Sequence, residues 1–200
     1  VIELEESKAT RRGEILSTAA RVIAAKGFAS ATVRDIADAA GILSGSLYHH
    51  FKSKDQMLVE ILQTMLSQTR NAYEEVSEQG MNPRESVSQL LRNGFGVLER
   101  WQVEIRILQN DFPYLSTLPA FSFVSEVQDE IEQIWVKEIK RGMESGVFSS
   151  RVDAGLIYRV MMGSILNAGR WFRRGGEMTS EQLGRVHAEF FLNGLLNPAS

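Results

Sequence analysis

Apolar residues recur at three- and four-residue intervals along nearly the whole chain, and nowhere do they alternate over the length of a strand. A period near 3.6 buries one face of a helix, whereas a strand with one buried face needs a period of two. This feature restricts the chain to an all-α fold. The punctuation agrees with it. Of the four prolines, Pro83, Pro113 and Pro119 stand where helices begin or are interrupted. Capping residues and glycines divide the chain into nine expected helices. These are Ala9 to Lys26, a short one capped by Thr32 and ending near Ala40, Ser44 to His50, Ser53 to Gln79, and Pro83 to Trp101. A shorter helix to about Asn110 follows, then Pro119 to Ser145, Asp153 to Arg174, and Thr179 to about Leu195.

With 200 residues, 44% of them hydrophobic, the chain can build a small head on a larger body. No apolar run reaches the length of a membrane span, so no membrane partner is expected. The first seven residues, VIELEES, carry no secretory signal and are expected to fray. Cysteine is absent, which excludes disulfides and thiolate metal sites and suits a cytoplasmic protein. The formal net charge of -3 hides an asymmetry. Between Lys8 and Lys54 eight Lys/Arg face three Asp/Glu, while from Asp55 onward fourteen Lys/Arg face nineteen Asp/Glu. A basic head on an acidic body suits a protein of which one end meets phosphate.

The stretch TVRDIADAAGILSGSLYHHF carries the most information. It reads as two short helices joined at Gly41, with Ile36, Ala40, Ile42 and Leu47 apolar and the small Ala37 four residues before the glycine. Two helices crossing steeply need a small residue where their backbones approach, a residue tolerant of positive φ at the turn, and apolar inner faces. The outer face of the second helix, with Ser44, Gly45, Ser46, Tyr48 and His49, is left small and polar and fits a major groove. On pattern alone a plain helical hairpin explains the stretch equally well.

Three segments together, TVRDIADAAG, GSLYHHF and KSKD, resemble the TetR family of bacterial regulators over roughly residues 10 to 60. The wording ILSGSLYHHF is especially similar to actinobacterial regulators of steroid and acyl-CoA catabolism. The resemblance implies a homodimeric repressor that binds a near-palindromic double-stranded operator through residues 8–54. It also implies a small-molecule effector, held by residues 55–200, that releases the operator. Physics and resemblance together assign Thr32 and Arg34 to phosphate at a helix N-terminus. Lys52 and Lys54 add phosphate charge. The family's backbone-contacting positions fall on Tyr48 and His49, and base reading is expected at Ser44 and Gly45, with Ser46 beside them. Relatives usually carry Ser or Thr where this chain has Leu43, which leaves the capping of the recognition helix open. His50 and Phe51 read as packing residues.

Three readings compete for the body: a ligand sensor, a dimerisation scaffold, and an enzyme or acyl-ligand carrier that binds no DNA. No nucleophile motif, phosphate-binding glycine loop or dinucleotide fingerprint is visible, and three scattered histidines leave a metal without ligands. No catalytic residue, metal or cofactor is therefore expected. For the sensor, the large side chains Trp101, Phe112, Phe121, Trp135, Tyr158, Met162 and Leu166 are candidate lining, although each taken singly fits an ordinary core better. Arg170 lies four residues beyond Leu166 and eight beyond Met162, on one face of a helix that continues to Arg174. An arginine ending an apolar stripe suits an amphipathic anion such as an acyl-CoA. A bland alternative is a favourable charge at a helix C-terminus. For the dimer, Gly163 permits close approach, and Leu183, Val186 and Phe190 form a stripe on the last helix that a two-fold would pair.

Overall fold

The structure is a computed structural model that describes the backbone of residues 2–195 and the side chains of residues 11–194. The described residues form an all-α fold without strands. The helices are α1 (Ile2–Lys26), α2 (Val33–Ala39), α3 (Ser44–Tyr48), α4 (Lys54–Glu78), α5 (Pro83–Arg100), α6 (Gln102–Leu115), α7 (Ser122–Glu144), α8 (Ala154–Ala168) and α9 (Ser180–Leu195). A 3-10 turn, Pro119–Phe121, precedes α7. No described helix is long and apolar enough to cross a membrane.

Local chemistry starts most of these helices where the sequence puts them. Asn82 accepts the Glu85 amide (3.0 Å), Asp153 that of Leu156 (3.0 Å), and Thr179 that of Gln182 (3.1 Å). Ser53 accepts the Gln56 amide (3.1 Å), and the Gln56 side chain reaches back to the Lys52 amide (2.7 Å). The bonds to the Glu85, Leu156, Gln182 and Gln56 amides each satisfy a donor that a helix N-terminus otherwise leaves orphaned, and the bond to Lys52 fixes the chain just before the cap.

Three boundaries differ from expectation. α1 begins at Ile2, not Ala9, so the expected fraying is not found over 2–7, and Val1 lies outside the described residues. α6 runs through Pro113 to Leu115 instead of breaking there. Proline removes one donor, and the turn still closes through the Ser116 amide on the Phe112 carbonyl (2.9 Å). α8 stops at Ala168, six residues before Arg174. Its end tightens to three-residue bonds, Gly169 to Leu166 and Arg170 to Asn167, as the buried Phe172 draws the chain inward. The Gln102 side-chain Nε2 then donates to the carbonyl of Phe172 (3.2 Å).

The chain forms two compact units. The first runs to Met65 and includes Val103–Val124; the second takes Leu66–Gln102 and the chain from Ser125 onward. In the first unit, the four-spaced stripe Ile15, Ala19 and Ile23 of α1 is buried, as are Ile36, Ala37, Leu47 and Phe51. Phe28 packs edge-on against Phe121 (5.6 Å between centroids), and its amide donates to Asp111 Oδ1 (3.1 Å). These contacts bind the α6 segment to the turn that follows α1.

In the second unit, α5 lies against α9. A Cβ on Gly184 would stand 2.8 Å from the Arg92 Cα, so the two backbones approach more closely than any other residue at 184 permits. Glu138 is fully buried, pairs with Arg141 (2.7 Å) and accepts from Ser77 (2.8 Å). Arg141 donates in turn to the Met81 carbonyl (2.6 Å) and to Ser86 (2.9 Å), which ties α7 to the end of α4 and the start of α5. Carboxyl oxygens this buried are costly to leave without such partners.

Candidate nucleic-acid interface and effector site

The two short helices form a complete helix-turn-helix. Thr32 opens α2 with a capping box: its hydroxyl accepts the Asp35 amide (3.1 Å), and its own amide donates to Asp35 Oδ2 (2.9 Å). Hydrogen bonds from Lys26 and Thr32 hold the Asp35 carboxyl at about 2, below its ordinary 3.8. Gly41, at φ +65°, ends α2. The amides of Gly41 and Ile42 bond the carbonyls of Asp38 (3.2 Å) and Ala37 (3.0 Å), the paired bonds of a Schellman turn. Ile36, Ala37 and Leu47 meet with no exposed surface, which fixes α3 against α2.

This packing turns the other face of α3 outward. Gly45, Ser46, Tyr48 and His49 are exposed and Ser44 half-exposed. Leu43 is the N-cap of α3, makes no side-chain capping bond, and is 80% exposed. The open question of how this helix is capped is thus answered: no side chain caps it.

The candidate phosphate ligands divide sharply. Arg34 is exposed and pairs only loosely with the equally exposed Asp38 (3.8 Å), a contact worth little in water and easily exchanged for phosphate. Lys52 is exposed. Lys54 is turned inward: its ammonium donates to the carbonyls of Phe28 and Ala31 and sits 4.3 Å from the Phe28 ring centroid. Thr32 spends its hydroxyl and amide on Asp35. Two of the four residues assigned to phosphate are therefore engaged in holding the head together.

The candidate effector residues fall into separate groups. Phe112 and Phe121 belong to the first unit, where Phe121 is core beside Phe28. In the second unit Trp135 is fully buried, edge-on to Tyr73 (5.4 Å) and 6.1 Å from Tyr158. The Trp135 indole N–H has no hydrogen-bond partner among the described residues, and burial pushes the Tyr158 hydroxyl up to about 12, aided by the charges of Glu132 and Asp129. Tyr73, whose hydroxyl burial also pushes upward, was not singled out in the sequence, because an aromatic at helical spacing reads only as core. Met162 and Leu166 are half-buried. Arg170 is exposed and lies in the turn after α8, so the expected helical face shared with Met162 and Leu166 does not form. Trp101, which caps α5, borders a groove of about 480 Å³ with Gln68, Arg92, Asn93, Arg100 and Ser180. The Arg100 guanidinium lies 5.2 Å from the Trp101 ring centroid.

Of the candidate dimer residues, Val186 and Phe190 on α9 are exposed at 51% and 76%, and Gly163 faces open space on α8. Leu156 and Val160, also exposed, extend that α8 face. Leu183, although on the same apolar stripe, is buried inside the protomer beside Gly184, where α9 meets α5.

The comparisons agree with this geometry. Residues 15–61 match the family of bacterial regulatory proteins, tetR family, and residues 80–195 match the tetracyclin repressor-like C-terminal domain. The chain is 37% identical over 187 residues to the HTH-type transcriptional repressor KstR2 of Mycolicibacterium smegmatis, covering 94% of this chain and 91% of the relative. The structure of the ketosteroid transcriptional regulator KstR2 of Mycobacterium tuberculosis superposes with a TM-score of 0.89 at 36% identity, covering 94% of this chain and 95% of that one. A structure of AibR with isovaleryl coenzyme A and operator DNA shares the fold, with a TM-score of 0.75 at 23% identity over 93% of this chain and 98% of that one. The chain belongs to the TetR family of bacterial transcriptional regulators and is a ligand-responsive, DNA-binding repressor.

Proposed function

We propose that two copies of this chain grip a near-palindromic operator in the cytoplasm and release it when an amphipathic acyl thioester enters the second unit. Residues 8–54 serve as the DNA-binding part and residues 55–200 as sensor and dimer. Arg34 and Lys52 bind phosphate, Tyr48 and His49 add backbone contacts, and the small residues Ser44, Gly45 and Ser46 let α3 approach base edges. Two-fold pairing of α8 and α9 through Leu156, Val160, Gly163, Val186 and Phe190 covers apolar surface that a monomer leaves in water.

The observation that carries the effector reading is the orphaned Trp135 indole, buried beside Tyr73 and Tyr158. A buried donor without an acceptor is costly, and a ligand carbonyl or thioester oxygen would satisfy it. AibR, which shares the fold, has been seen with an acyl coenzyme A and operator together. Arg170 is proposed to meet the anionic end of the ligand, with the Arg92 and Arg100 groove as the competing location. α4 is one unbroken helix from Lys54 to Glu78, so a ligand that displaces its C-terminal half moves its start beside Lys52. Coupling of this kind is typically about 1–3 kcal/mol, roughly 5–150-fold in affinity, and must be reciprocal.

The test is operator selection from random duplexes, followed by titration of the complex with acyl-CoA thioesters of graded length. An acyl-CoA should weaken operator binding, and Trp135→Phe and Arg170→Ala should each blunt that response. If no acyl-CoA shifts operator affinity, the effector class is wrong. Stoichiometric turnover of the thioester by the protein would favour an enzyme instead.

A further inference from the structure

Leu43 is the most exposed large apolar side chain among the described residues, at 80%. It stands at the N-cap of α3, where the start of a recognition helix faces base edges. The other caps described above, at Thr32, Ser53, Asn82, Asp153 and Thr179, are polar side chains that bond a helix amide. α3 alone among these helices forgoes that bond and places an isobutyl group in water. Its neighbours do not shield it: a Cβ on Gly41 or Gly45 would meet nothing within 4 Å. Ile42, next to it, is half-buried, so the packing of the turn does not require Leu43.

A leucine cannot bind phosphate or read a donor or acceptor. The one apolar feature on a base edge in the major groove is the C5 methyl of thymine. We propose that Leu43 is a specificity-determining residue that reads one thymine of each operator half-site by burying that methyl group. The inference rests on α3 being the recognition helix. It assigns discrimination to a position where a serine cap would offer no comparable apolar surface.

The experiment uses the full-length protein and its selected operator. Each thymine of the half-site is replaced in turn by deoxyuridine, which keeps every hydrogen-bonding group and deletes only the methyl. Wild type should lose affinity at one position, by about fourfold per half-site and about 15-fold when both halves are substituted, as expected for one buried methyl at each. Leu43→Ala and Leu43→Ser should bind thymine and deoxyuridine equally at that position, while remaining sensitive to changes elsewhere in the site. Thermal unfolding of both variants should match wild type or exceed it, since the side chain is exposed and serine restores a cap. The proposal is overturned if deoxyuridine costs nothing at any thymine, or if the cost persists undiminished in both variants. Failure to recover any operator would instead remove the reading of α3 as a recognition helix.

Discussion

Lys52 and Lys54 lie two residues apart and carry the same charge, yet the structure predicts opposite consequences for their loss. Lys52 is exposed and free to meet phosphate, whereas the Lys54 ammonium is bound to two carbonyls and lies over the Phe28 ring. Each phosphate contact contributes about 0.9 to the slope of log affinity against log salt. A dimer loses two contacts in Lys52→Ala, so the slope should flatten by about 1.8. Between 50 and 200 mM salt, wild type should therefore lose roughly tenfold more affinity than this variant. Lys54→Met removes no phosphate contact and should leave the slope unchanged. It strips the carbonyls of Phe28 and Ala31 of a charged donor, which should destabilise the head by about 1.5–3 kcal/mol. The assay is operator binding by fluorescence anisotropy at several salt concentrations, paired with urea unfolding of each variant. Equal flattening by both substitutions, with no loss of stability in Lys54→Met, would refute the inward assignment of Lys54.

Three further outcomes are expected. Asp35 has a depressed carboxyl pKa of about 2, so its stabilising contribution is present above about 3.8 and lost as pH falls through 2; acid unfolding of Asp35→Asn should converge with wild type over that window, and a constant difference would contradict it. Phe190→Glu places a charge on an exposed apolar face and should yield monomers by sedimentation velocity, whereas an unchanged dimer would exclude α9 from the interface. Gly184→Ala gains about 1 kcal/mol of helix propensity, but its Cβ meets the Arg92 Cα at 2.8 Å and overpacking costs about 1–3 kcal/mol. The net effect should be a lower midpoint of thermal unfolding, and a rise would show that α5 and α9 separate freely.

What was legible in the sequence depended on how far apart the interacting groups lie. The caps at Thr32, Asn82, Asp153 and Thr179 are bonds between residues three apart, so the sequence alone places them. Gly41 is equally local, because only the turn beside it demands a positive φ. The buried stripe Ile15, Ala19 and Ile23 follows from helical period, and the all-α fold follows from that period along the chain.

Tertiary structure decided the rest, through groups distant along the chain. Lys54 turns inward because carbonyls 26 and 23 residues away are left open by the turn after α1. Asp111 joins that same turn from 83 residues away, which puts the α6 segment in the first unit. Leu183 and Val186 look equivalent as members of one apolar stripe, and only the packing of α9 within the protomer buries the first and leaves the second exposed. Arg170 leaves its expected helical face because Phe172 is drawn into the core. Local hydrogen bonds and periodicity are properties of a segment, and the sequence states them. Which face meets a neighbour, and which charge is already spent, are properties of the packed chain.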